Sequence, residues 1–232
     1  MSIVSVVLLT IITFILYKLA KKSYKKWNIP LFHPLLLTPI LLILFIYICH
    51  IPATTYLDST KPLTHLLGPA TVAFAVPIYK NLPLLKKHFG TIIVSVTTGT
   101  IVAILSSFLL SMVIQLKTDF LISILPRSIT TPIAIVVSEE TGGLPTLTTI
   151  FVIITGVLGG IIGPYVIKWL SLRSPISQGL ALGMGAHGVG TSKAMEIGEQ
   201  AATFSTLAMI LGAWITVIWA SSLIPFMISF IN

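Results

Sequence analysis

The chain has 232 residues, of which 55% are hydrophobic and only 9% are charged, and its mean hydropathy is +1.03. A soluble domain carries about a quarter Asp, Glu, Lys and Arg, because its surface must face water. The 14 basic and 6 acidic residues are too few to cover a 25.1 kDa soluble protein. A soluble enzyme, a nucleic-acid-binding domain and a disordered chain are therefore excluded, and the composition predicts an integral membrane protein.

Stretches without charged residues predict where the chain crosses the membrane. A helix needs about 20 mostly apolar residues to cross a hydrocarbon layer about 30 Å thick. The apolar runs lack the alternation of barrel strands, which favours helices. With three interrupted segments described below, we expect an all-α membrane protein with about seven to eight embedded helices, some of them broken or re-entrant. The five ordinary spans are predicted at 3–19, 32–51, 90–115, 145–168 and 204–230.

The first span has no basic region before it and no small-residue cleavage site after it. We therefore expect a retained anchor helix and not a signal peptide. The whole chain, 1–232, is interpreted as one transmembrane domain, with the anchor and a basic loop at 1–30 and the remainder at 31–232. The single cysteine, Cys49, cannot form a disulfide within the chain.

Two clusters of lysines follow the first span and the first interrupted segment. In a membrane protein they indicate cytoplasmic loops that contact anionic lipid, and not binding to nucleic acid. This assignment places the N-terminus outside the cell. The clusters consist of Lys18, Lys21, Lys22, Lys25 and Lys26, and of Lys80, Lys86 and Lys87.

Glycine and proline interrupt three apolar segments, at 62–81, 120–143 and 176–200. Interrupted hydrophobic segments point to the binding site of a transporter. Irregular backbone at membrane depth must be buried in protein or line a water-filled cavity, because lipid cannot satisfy its hydrogen bonds. For 62–81, a simple proline kink used in packing is the main alternative.

Each interrupted segment contains a predicted helix start. Gly68–Pro69 is expected to start a helix at about 69–79. Thr131–Pro132 resembles an N-cap followed by the first helical residue, which predicts a helix at about 132–140. Gly190–Thr191 predicts a third start, capped by the threonine.

The charges near these starts favour an anionic solute. A helix N-terminus offers N–H donors and the positive end of the helix dipole. Arg127 lies near the second start, and Lys193 lies near the third, on one helix face with Glu196 and Gln200. Arg127 has an equal alternative, in which it extends to the outer interface.

Two further alternatives remain open in the second segment. Glu139 and Glu140 are expected either to mark a helix end in water or to relay protons. Residues 120–140 either cross the membrane or enter it and return. The positive-inside rule favours the re-entrant version, because it keeps Lys168 and Arg173 inside.

Interrupted segments next to long spans recur along the chain, which suggests inverted repeats of the kind common in transporters. His187 has no second histidine or cysteine at zinc-like spacing, so we expect no metal site and no cofactor. No G-x-S-x-G or H-E-x-x-H motif occurs, and we do not expect an enzyme.

Three strings resemble the LrgB/CidB family: LLGPATVAFAVPIYKN at 66–81, LPRSITTPIAIVVSEETGG at 125–143 and GMGAHGVGTSKAMEIGEQAATFSTLAM at 183–209. The resemblance extends from about residue 30 to the C-terminus. It implies a holin/antiholin-like protein of the bacterial plasma membrane that controls murein hydrolase activity and lysis with a smaller LrgA/CidA-type partner. Plant relatives are plastid glycolate/glycerate transporters, which implies exchange of small hydroxy- or keto-acids.

We therefore expect a carrier for small monocarboxylates such as glycolate, lactate or pyruvate, which forms a homodimer. A holin-like pore or regulator is the alternative. The substrate carboxylate is expected at the second and third helix starts, and the coupling proton on Glu140, Glu196 or His187. The predicted substrate-binding residues are Thr71, Asn81, Arg127, Ser128, Thr130, Thr131, His187, Gly190, Thr191 and Lys193.

Overall fold

The computed structural model describes residues 3–27, 32, 34–66, 69, 72, 73 and 75–230. These residues form helices and turns without any strand, which confirms the all-α prediction. The chain separates into two compact units, Met1–Val76 and Pro77–Asn232. Gly68 and Thr71 lie outside the described residues, so the predicted start at Gly68–Pro69 and the role of Thr71 stay predictions, as does the single-domain interpretation.

The first unit contains one long helix, α1, against which shorter helices pack. α1 contacts α2 and α3, and the hydroxyls of Thr13 and Tyr56 form a 2.8 Å hydrogen bond. The predicted span at 32–51 is shorter in the structure: α2 has 15 residues, or about 22 Å, which is less than a full crossing. The helices are α1 (Ile3–Trp27), α2 (Pro34–Ile48), α3 (Ala53–Ser59) and α4 (Lys61–His65), and α5 (Ala75–Lys80) extends over the boundary between the units.

The second unit is built on three long helices, α7, α10 and α12. With α1, they are the four helices of the described part that are long and apolar enough to cross a membrane. The spans predicted at 90–115 and 145–168 are confirmed. The helices are α6 (Leu82–Lys87), α7 (Phe89–Val113), α8 (Thr118–Ile124), α9 (Thr131–Thr141), α10 (Pro145–Trp169), α11 (Pro175–Ile197), α12 (Glu199–Ala220) and α13 (Leu223–Ile228).

The prediction of one span at 204–230 is wrong at both ends. α12 begins at Glu199, directly after Gly198, whose φ of +151° favours glycine. It ends at Ala220, and Ser222 takes a non-helical conformation before α13 begins. Gly198 also separates Glu196 from Gln200, so these residues do not share one helix face as predicted.

Helices α8 and α9 form the first hairpin. The Ser123 hydroxyl near the end of α8 accepts a hydrogen bond from the Leu144 N–H at 2.7 Å, beyond the end of α9. The Thr148 hydroxyl at the start of α10 donates to the Ser123 carbonyl at 2.9 Å and accepts a hydrogen bond from the Ser138 hydroxyl at 2.7 Å. The chain therefore leaves Ser123, turns at 125–130, and returns along α9 to the same level. This hairpin geometry agrees with the re-entrant alternative, and its position relative to the membrane stays a prediction.

Helix α11 is broken, and its two arms form a second hairpin. Ala186 and His187 have non-helical backbone angles, which divide α11 into arms at 175–185 and 188–197. The arms lie side by side, because a Cβ at Gly190 would overlap the Leu182 carbonyl. The first arm runs parallel to α12, with Gly183 against the Ser205 carbonyl. The second arm runs antiparallel to α12.

The two hairpins enter the second unit from opposite ends of α10. The first precedes Pro145, and the second follows Trp169. The Ser138–Thr148 bond aligns α9 antiparallel to α10, which brings Thr131 to the level of about residue 155. Positions 156 and 159 of α10 lie against His187 and Ala186. Both tips therefore reach the middle of α10, and α7 with the first hairpin has the inverse direction of α10 with the second.

Candidate functional site

Arg127 lies at the tip of the first hairpin and is held by α7. Its Nε–H donates to the Ser107 hydroxyl at 2.8 Å, and that hydroxyl donates to the Ala103 carbonyl at 2.7 Å. Ser107 lies six residues, or about 9 Å, before the end of α7. The guanidinium is therefore held between helices and half-buried, and its depth relative to a membrane interface stays a prediction.

The residues after Arg127 begin α9. Thr130 is the N-cap and Thr131 the first helical residue, one position earlier than predicted, because Pro132 occupies one of the first two helical positions. The side chain of Thr130 makes no capping hydrogen bond. The Ser128 hydroxyl is buried and has no hydrogen-bond partner among the described residues. The tip thus combines a cation, a buried hydroxyl and a helix N-terminus.

His187 forms the tip of the second hairpin in a strained conformation. Its φ of +38° and ψ of −121° are unusual for a residue with a side chain. Its Nε2–H donates to the Val152 carbonyl at 3.1 Å, and the ring is 7% exposed. Because a carbonyl only accepts, this bond places the proton on Nε2 and leaves Nδ1 as an acceptor in the neutral ring.

Glycines of α10 make room for this tip. A Cβ at Gly156 would lie 2.6 Å from Cε1 of His187, and one at Gly159 would lie 2.7 Å from Cβ of Ala186. A Cβ at Gly160 would lie 2.5 Å from Cγ1 of Val189. The small residues of α10 therefore serve close packing of the second hairpin.

The prediction that Thr191 caps a helix is wrong. The helix resumes right after His187, so Thr191 lies inside the second arm and is buried. Its hydroxyl donates to the His187 carbonyl at 3.0 Å and contacts the Ser205 hydroxyl at 3.0 Å. Gly190 packs against the Leu182 carbonyl of the other arm. Both residues support the hairpin from within, and the helix start lies closer to His187 than predicted.

Lys193 and Glu196 form an ion pair along the second arm. Lys193 Nζ lies 3.0 Å from each carboxylate oxygen of Glu196, whose side chain is 61% exposed. Lys193 lies six residues, or about 9 Å, beyond His187. The Asn81 amide donates to the Thr203 hydroxyl at 3.2 Å, near the same end of the unit. The structure therefore places Lys193 and Glu196 on the second arm and Asn81 beside α12, all of them away from the tip.

Glu140 lies near the end of α9, exposed together with Glu139. The end of α9 is about 14 Å from its start at Thr131. The structure does not bring Glu140 to either tip. Its exposed position agrees with the alternative in which Glu139 and Glu140 mark a helix end in water. Gly142 follows with a φ of +86° and terminates the helix.

A cavity of about 510 Å³ connects the two tips along α10. Arg127 and Thr155 are its polar lining residues, and Ala186 of the second tip lines it as well. Sequence reasoning missed Ser107 and Thr155, because an isolated hydroxyl in an apolar helix gives no signal of its partner. Within the described residues, no group of three His, Cys, Asp or Glu side chains is placed to hold a metal.

Comparisons with known proteins agree on one family. A model of the LrgB-like family matches residues 13–226. The Bacillus subtilis protein named "Uncharacterized protein YwbG" is 43% identical over 216 residues, which are 93% of this chain and 96% of that protein. The Staphylococcus epidermidis "Holin-like protein CidB" is 34% identical over 222 residues, 96% of this chain and 95% of that protein. No solved structure matches. Its long apolar helices identify the chain as a membrane protein. The chain belongs to the LrgB-like family.

Proposed function

We propose that this protein is a membrane transporter of small hydroxy- or keto-monocarboxylates. The observation that carries the proposal is that the tips of two oppositely directed hairpins both reach the middle of α10 and line one cavity, with Arg127 at one tip. Broken helices that meet at mid-depth, in parts of inverse direction, are typical of secondary transporters.

The chemistry of the tips supports an anionic substrate. The N-terminal ends of α9 and of the second arm of α11 both lie at the tips, and each is the positive end of a helix dipole. With Nε bonded to Ser107, the Nη groups of Arg127 remain to bind a carboxylate in bidentate fashion. A single cation in the cavity lining matches one negative charge.

Uptake into liposomes tests the proposal. The purified protein is expected to take up labelled glycolate, lactate or pyruvate with saturation, and Arg127→Ala is expected to abolish uptake. Arg173→Ala is the matched control, because it removes an exposed arginine between α10 and α11. Equal uptake by the wild type and Arg127→Ala would contradict the proposed site.

A holin-like role is the second candidate, favoured by the name of the staphylococcal relatives, "Holin-like protein CidB". It would link this chain to control of murein hydrolase activity and lysis, with a smaller LrgA/CidA-type membrane partner. The same liposomes separate the candidates. A pore releases unrelated dyes without saturation, whereas a carrier retains them.

We further propose a homodimer in the bacterial plasma membrane, with its N-terminus outside and its basic loops against anionic lipid. The coupling proton is assigned to His187, which lies at a hairpin tip, in preference to Glu140 or Glu196, whose side chains are exposed. Loss of the pH dependence of uptake in His187→Gln, with saturable uptake retained, tests this assignment.

A further inference from the structure

The lining of the cavity beside Arg127 narrows the class of substrate. We propose that this protein prefers monocarboxylates with an apolar tail, such as unbranched 2-oxo acids of four to six carbons, over hydroxylated acids and dicarboxylates. This inference rests on the proposed function and specifies which acids the same site takes.

The charged end of the cavity accepts one carboxylate. Arg127 is the only charged residue among its lining residues, all of which belong to the described part of the chain. Ser107 holds Nε, so the guanidinium is fixed in orientation. A second carboxylate on the ligand would enter the cavity without a cation to pair with, which is costly in an apolar environment.

The rest of the cavity is an apolar wall. One face of α10 supplies residues at helical spacing, including Ile154, Leu158, Ile162 and Val166. The first arm of α11 supplies Leu182 opposite them. Apart from Arg127, Thr155 is the polar side chain in this lining. The wall is open on one side, because Ile154, Leu158 and Ile162 are each about half exposed. A ligand methylene that lies against this wall loses part of its contact with water, whereas a ligand hydroxyl there meets no polar side chain beyond Thr155.

The length and volume of the cavity leave room for such a tail. Its lining extends along α10 from Phe151 to Leu170, a rise of about 29 Å. Its volume of about 510 Å³ is within the range of small-molecule sites and well above the need of a two-carbon acid. Half to full burial of one methylene strengthens binding by about two- to fourfold.

Competition against the uptake of labelled pyruvate tests this inference, with Arg127→Ala liposomes as background. Unlabelled pyruvate, 2-oxobutanoate, 2-oxopentanoate and 2-oxohexanoate should compete with increasing strength, by about two- to fourfold per methylene. Lactate should compete better than glycerate, which differs from it by one hydroxyl, and malonate should compete least. Equal competition along the series would overturn this inference while the carrier function stands. Absence of any saturable uptake would overturn both.

A matched pair of variants on α10 tests whether the ligand tail binds against this wall. Leu158 and Ile153 are each 50% exposed, but Leu158 lines the cavity and Ile153 does not. Leu158→Gln should reduce the advantage of 2-oxohexanoate over pyruvate by at least threefold, and Ile153→Gln should leave it unchanged. The same loss in both variants would overturn the assignment of the tail to this wall.

Discussion

Arg127 depends on Ser107 for its orientation. The Ser107 hydroxyl accepts a hydrogen bond from the Nε–H and donates one to the Ala103 carbonyl, so one edge of the guanidinium is fixed. We predict that Ser107→Ala raises the KM for pyruvate uptake by about ten- to 150-fold, in line with about 1.5–3 kcal/mol for a hydrogen bond to a charged group. The maximal rate should change little, as measured in initial-rate liposome uptake.

Ser106 provides the control for this prediction. Its hydroxyl also donates to the Ala103 carbonyl, at 3.2 Å, but it makes no bond to Arg127. Ser106→Ala should therefore leave the KM unchanged. An equal rise of KM in both variants would show that the helix, and not the orientation of Arg127, is affected.

The backbone conformation of His187 lowers the stability of the protein independently of what its side chain does in transport. A residue with a side chain at φ +38° and ψ −121° costs about 1–3 kcal/mol, which glycine avoids. His187→Gly should therefore unfold at a higher temperature than His187→Ala in detergent, although both lose the bond to Val152. Both variants should lose the pH dependence of uptake. A lower unfolding temperature for His187→Gly than for His187→Ala would contradict the assignment of backbone strain to His187.

At the scale of elements, the second hairpin depends on close contact between its arms. A Cβ at Gly190 would overlap the Leu182 carbonyl, whereas a Cβ at Gly188 meets nothing within 4 Å. We predict that Gly190→Ala destabilises the protein by about 2–3 kcal/mol or prevents folding, because backbone cannot move aside. Gly188→Ala should be neutral or slightly stabilising through helix propensity. Thermal unfolding in detergent measures the stability of both variants. Equal melting temperatures of Gly190→Ala and Gly188→Ala would contradict the close contact between the two arms.

The sequence predicted the positions of the helices better than the contacts between them. Charge gaps located α7 and α10, and Pro132 located α9, because these signals are local. The break in α11 was placed near Thr191 but occurs at His187, since it depends on the contacts of Gly156 and Gly159 from another helix. The hydrogen bond between Arg127 and Ser107, and the cavity that Arg127 and Thr155 both line, likewise depend on tertiary packing, and no local pattern encodes them.

At the scale of the second unit, charge separates its two ends. The end that holds the termini of α6 and α10 carries the basic residues Lys86, Lys87, Lys168 and Arg173, together with Glu196 and Glu199. The opposite end, at α8 and α9, carries Lys117 together with Asp119, Glu139 and Glu140. The positive-inside rule therefore predicts that the α6–α10 end faces the cytoplasm. This prediction has the first hairpin enter the membrane from outside and the second from the cytoplasm.

Cysteine labelling in intact cells tests this topology. In a Cys49→Ser background, Lys117→Cys and Glu139→Cys should both react with an impermeant maleimide from outside, because the first hairpin returns to the side where it begins. Arg173→Cys should react only after the membrane is permeabilised. These three positions are exposed and lie outside the hairpin tips, so the substitutions should preserve folding. Labelling of Lys117→Cys and Glu139→Cys from opposite sides would show that residues 120–140 cross the membrane, and would remove the meeting of the two tips on which the carrier proposal depends.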